Sequence, residues 1–151
     1  MNREIEKMVQ TLQKRITSAY SFWFFAVYFI MFMYFLLTGN IFETYAQAAP
    51  WVFAYILFAV IGNIAVLIFM YKFLVPDKKS LKFVVLYEIL FIIILVFTYL
   101  VISMEWLPLN GYGNLNFLTM LNAVLPVMFI LLILAEYVFS KAVRMMPVRT
   151  N

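Results

Sequence analysis

The sequence predicts an all-α membrane protein, a four-helix transmembrane bundle with an N-terminal amphipathic helix. Composition is the first reason. Of the 151 residues, 67% are hydrophobic and 12% charged, where a soluble domain has roughly 45–50% and roughly 25%. Such a chain cannot cover itself with polar side chains, so lipid must solvate much of its surface. The second reason is four apolar segments, each long enough to cross a hydrocarbon core of ~30 Å, which takes ~20 helical residues. The third is charge: all eleven Lys and Arg residues lie in the N-terminal segment, in or beside a single connection, or in the C-terminal segment.

Residues 1–19 form the first element. Ile5, Met8, Val9, Leu12 and Ile16 recur at helical spacing, with Glu6, Lys7, Gln10, Gln13 and Lys14 between them, the pattern of an amphipathic helix. It is expected either to lie on the inner leaflet or to run straight into the first span. The same apolar stripe would also suit docking of a cytoplasmic partner.

The membrane domain covers 20–140, with spans expected at about 20–38, 51–71, 83–104 and 117–139, and a tail at 141–151. Strands are rejected as spanning elements, because open sheet edges leave backbone groups unpaired in lipid and no alternating barrel pattern is present. In the first span, ten of the sixteen residues from Tyr20 to Phe35 are aromatic and none is charged. A helix apolar all round faces lipid or protein. A flat-ring cofactor site would need polar end groups, of which this span offers few. The long polar stretch before Tyr20 points to an uncleaved first helix, although Ala46-Gln47-Ala48-Ala49 is a small-residue cluster of the kind cleavage requires.

Between the second and third spans, Pro76 should stop a helix, and Asp77 or Ser80 should cap the next. Those two spans therefore form an antiparallel hairpin. The outer connections run to about a dozen residues, enough to close a bundle but too short for a folded outer domain. In the second of them, Asn110-Gly111 and Gly113 read as a turn.

Orientation follows from the loops. Arg3, Lys7, Lys14 and Arg15 precede the first span, Lys72, Lys78, Lys79 and Lys82 flank the hairpin turn, and Lys141, Arg144 and Arg149 follow the fourth span. The other two connections hold Glu43 and Glu105 and no basic residue. Short loops rich in Lys and Arg stay in the cytoplasm, so both termini are expected inside, at the plasma membrane of a prokaryote. Trp51, Trp106, Tyr45 and Tyr112 fall at the outer boundary, and Tyr20, Trp23, Tyr71 and Tyr137 near the inner one. The basic residues then meet anionic lipid headgroups rather than nucleic acid, for which no soluble basic module is present.

The chain has no cysteine and no histidine, which removes disulfides, thiolate chemistry and metal sites built on imidazole or thiolate. No cofactor is expected, and no nucleophile–base pair suggests an enzyme. Ionisable groups inside spans are the remaining candidates, because burying them is costly. Glu88 and Glu136 are two, each only ~7–9 Å inside its basic flank at 1.5 Å per residue. Asn122, Glu136 and Ser140 fall on one side of the fourth span, with Phe129 and Ile133 between them; Glu88, Ile92, Leu95 and Tyr99 share a face of the third. In the second span Tyr55, Ala59 and Gly62 share a face, with Asn63 toward its edge. These faces are expected to meet inside the bundle, giving a polar site of Glu88, Glu136, Asn63, Asn122 and Tyr99. The functional expectation is a non-catalytic subunit packed among other membrane subunits, in a respiratory or other redox assembly for example. The alternative is a small proton-coupled transporter or channel using Glu88 and Glu136.

Overall fold

The computed structural model describes residues 3–23, Ile30, 45–103 and 114–149. Within them the chain is helical: α1 is Arg3–Ser21, α2 Tyr45–Phe73, α3 Lys78–Ser103 and α4 Asn114–Met145. Among the described residues, three stretches are long and apolar enough to cross a membrane, Phe53–Phe73, Lys78–Leu100 and Val124–Met145. The expected first span lies outside the described residues apart from Tyr20–Trp23 and Ile30, as does most of the expected outer turn around Asn110-Gly111.

α2 and α3 are joined by a tight turn. Leu74 N–H still reaches the Met70 carbonyl at 2.9 Å, Pro76 follows, and Asp77 starts α3. The Ser80 N–H donates to Asp77 Oδ1 at 2.7 Å, and the Asp77 N–H donates to Ser80 Oγ at 2.9 Å. This reciprocal pair satisfies two backbone donors at the helix start, as a capping box does. The expected cap is therefore Asp77, with Ser80 answering it.

Among the described residues, α3 and α4 pack most extensively against each other. Val84, Tyr87, Phe91, Ile94 and Thr98 of α3 are buried, as are Val124, Met128, Leu132, Ala135, Phe139 and Ala142 of α4. Steps of three and four residues keep one seam of each helix inward. Small Ala135 and Ala142 let the backbones approach, and the buried Thr98 hydroxyl donates back to the Ile94 carbonyl at 2.8 Å. Outward positions such as Ile89, Ile93, Val96, Ile130, Leu134 and Tyr137 are apolar and exposed, as lipid-facing side chains should be.

This packing turns two helices away from the expected faces. Ile92 and Tyr99 of α3 point outward, and so do Phe129 and Ile133 of α4, which were expected between the inward polar residues. The physical reason is that bulky apolar side chains lose nothing against lipid tails, while closely fitting seams gain dispersion contacts. The face of α2 is as expected: Tyr55, Ala59, Gly62 and Asn63 are all buried.

α1 covers most of the expected first element and ends at Ser21. It runs into the bundle, where Ile16 and Tyr20 are 1% exposed. The Gln13 side-chain amide donates to the carbonyls of Arg144 at 3.3 Å and Met146 at 3.1 Å, so it satisfies acceptors left open at the end of α4. Beyond α4 the tail turns back over the hairpin. Val75 N–H donates to the Pro147 carbonyl and Arg149 N–H to the Phe73 carbonyl, both at 2.9 Å. Turn, tail and α1 are thus tied together at one end of the molecule. That end carries basic residues, and two lie near ring faces: the Lys72 ammonium is 5.7 Å from the Phe73 centroid, and that of Lys141 is 4.8 Å from the Phe83 centroid and 5.9 Å from that of Tyr137.

Candidate polar site between the helices

Asn63 and Glu88 lie at matching heights on the hairpin. Asn63 is ten residues before the end of α2, and Glu88 is ten after the start of α3, which puts both ~15 Å from the turn. Asn63, 6% exposed, donates through Nδ2 to both Glu88 oxygens, at 3.2 and 3.1 Å. Its Oδ1 accepts a short hydrogen bond from the Tyr87 hydroxyl. One carboxamide therefore serves as donor and acceptor at once, and it bridges α2 to two consecutive residues of α3.

An aromatic wall continues the site toward α1 and α4. The Tyr20 ring stacks on Phe139 with centroids 3.9 Å apart, and meets Tyr87 edge-on at 5.4 Å. Tyr87 and Phe139 in turn meet at 5.2 Å, with planes at 61°. Both tyrosine rings are essentially inaccessible. One turn further along the chain, Trp23 lies 4.9 Å from Phe58, centroid to centroid, and its indole occupies the space that a Cβ at Gly62 would need. Gly62 is thus a notch that admits the tryptophan, a use of close approach that only glycine allows.

Comparisons with protein families, with curated proteins and with solved structures gave no match to this chain. Its site has to be read from its own geometry.

Of the residues selected from sequence, Asn63 and Glu88 are in direct contact. Glu136 is half-buried on the flank of α4, beside buried Ala135. Tyr99 is 47% exposed on the outer side of α3, away from the buried seam. Asn122 belongs to α4, and its side chain lies outside the described residues. Pro126 sits inside α4 without ending it and is exposed. Among the described residues, no group of three or more His, Cys, Asp or Glu residues is placed to hold a metal ion.

Tyr87 and Tyr20 were not among the residues selected. A signal for Tyr87 existed. It adjoins Glu88, and counting equal distances back from the hairpin turn places it beside Asn63. The sequence marks Tyr20 only as an aromatic residue near the inner boundary, and its place beside Tyr87 and Phe139 depends on where α1 enters the bundle.

A carboxamide neither gains nor loses a proton at ordinary pH, so Asn63 orients Glu88 and Tyr87 as a fixed dipole. Outside the membrane segments, hydrogen bonding from Ser80, its side chain first and then its backbone N–H, keeps the Asp77 carboxyl below the usual carboxylate range.

Proposed function

We propose that this chain is a non-catalytic membrane subunit that packs within a larger membrane assembly. Both termini and the basic end lie on the cytoplasmic side of a prokaryotic plasma membrane. α1 acts as an amphipathic entry helix, and a further span between α1 and α2 completes four. The observation that carries the reading is the Tyr87–Asn63–Glu88 clasp. The Glu88 carboxylate accepts from Asn63 and so helps tie α2 to α3, a use that supports helix pairing and needs no substrate. The one-sided distribution of Lys and Arg supports the orientation, and the basic side chains at that end suit anionic headgroups.

The test is extraction in a mild detergent followed by native electrophoresis. The chain should migrate in a complex of fixed stoichiometry with other membrane proteins. Migration only as a monomer or as a homo-oligomer would overturn the subunit reading.

A proton-coupled transporter is the second reading, and one observation favours it. Glu88 is only half-buried and ends a donor chain that starts at a phenol. On that reading, Glu88→Gln would abolish pH-driven flux in reconstituted vesicles while leaving assembly intact.

A further inference from the structure

The first half of α1 stands beyond the bundle. The bonds from Gln13 to the Arg144 and Met146 carbonyls set its height at the end of α4, and Tyr20 and Trp23 carry the other half inward. At 1.5 Å per residue, Met8 lies ~7 Å and Ile5 ~12 Å past that level. Lys14, Lys72, Lys78 and Arg144 mark the level itself. The apolar stripe of α1 therefore emerges on the far side of the basic band, where Met8 is 67% and Ile5 46% exposed. With the tail it forms an open groove of about 820 Å³, whose apolar lining includes Ile5, Met8, Leu12 and Val148 and whose cationic lining residues are Arg15 and Arg149. Both arginine side chains are exposed.

We propose that this groove receives an acidic, apolar-faced helical segment from the cytoplasmic side of a partner subunit. The inference rests on the subunit reading and names the surface used. An apolar lining that also carries two guanidinium groups complements a short amphipathic helix with carboxylates beside its apolar stripe. Two other occupants fit less well. A phospholipid with its phosphate at Arg15 would run its chains back along the bundle, away from Ile5 and Met8. A second copy in the same membrane would present α1 in the same direction, bringing Arg15 and Arg149 of both copies to the same level, and like charges disfavour that approach.

The test uses the full chain in its native membranes. Arg15→Lys keeps the charge and supplies an amine that a carbodiimide couples to any carboxylate within ion-pair distance. The expected result is a new adduct at position 15, absent from wild type, on an Asp- or Glu-containing peptide of another protein with apolar residues at helical spacing. Adding Met8→Glu should reduce that adduct at least tenfold, while Lys78→Glu, at the same end but outside the groove, should leave it unchanged. Circular dichroism checks that the exposed Met8→Glu change leaves the fold intact. An adduct to the chain's own second copy, to a lipid headgroup, or none at all would overturn the proposal, as would an adduct indifferent to Met8→Glu. Native electrophoresis separates the two readings. A complex that persists unchanged with Met8→Glu sinks the groove and spares the subunit, whereas absence of any complex sinks both.

Discussion

Replacing Asn63 with Leu keeps the side-chain volume close and removes every polar atom. Two links between α2 and α3 are then lost, one to the Glu88 carboxylate and one from the Tyr87 hydroxyl. Interhelical hydrogen bonds in membranes average ~0.6 kcal/mol and reach ~1.7, so the substitution should cost about 1 to 3 kcal/mol. The contacts at 3.2 and 3.1 Å come from a single amide astride one carboxylate and count as one link. A double-mutant cycle isolates it: Asn63→Leu, Glu88→Ala and the pair, each unfolded reversibly in mixed micelles with rising SDS and followed by helical circular dichroism. The coupling energy should fall between ~0.6 and ~1.7 kcal/mol. A second cycle with Tyr87→Phe should give a similar value. If the Asn63–Glu88 coupling lies within the ~0.3–0.5 kcal/mol scatter of independent sites, the clasp contributes nothing to helix pairing, and the structural role assigned to Glu88 fails with it.

Three further outcomes are expected. Gly62→Ala should destabilise the protein by about 1–3 kcal/mol, because its methyl group enters the Trp23 indole; the same change in a Trp23→Ala background should be nearly neutral, and equal costs in both would disprove the notch. The Asp77 carboxyl is held below the usual carboxylate range in the folded chain, so its contribution is complete above the ordinary Asp range and is lost as pH falls through the lowered value. The stability gap between wild type and Asp77→Ala, measured by thermal unfolding, should therefore be constant from pH 5 to neutrality and close at more acid pH; a gap that widens on acidification would reverse the sign. Single cysteines at Thr44 and at exposed Lys79 should differ in intact cells, the first reacting with an impermeant maleimide and the second only after permeabilisation, and labelling of Lys79→Cys alone would invert the orientation.

The amino-acid sequence by itself determined the solvent of this protein, its helical class and the hairpin of α2 and α3. Those follow from quantities summed over many residues: apolar length, charge balance, and a Pro76-Asp77 junction that can end one helix and cap the next. Asn63 could be assigned to the inner side of α2, because Ala59 and Gly62 beside it are small and polar groups seek partners. The tertiary structure alone decided which sides of α3 and α4 turn inward. In a lipid-solvated helix, apolar residues occupy both faces, so periodicity carries little information. Isoleucines at 92 and 133 are as well placed against lipid as against protein. What selects the seam is shape: buried side chains of both helices, Tyr87 against Phe139 among them, are fitted by contacts that depend on fractions of an ångström. The same holds for Tyr20 over Phe139 and for Gln13 at the end of α4, pairings separated by more than a hundred residues. Only the folded chain brings such partners together, because nothing local to either residue encodes the other.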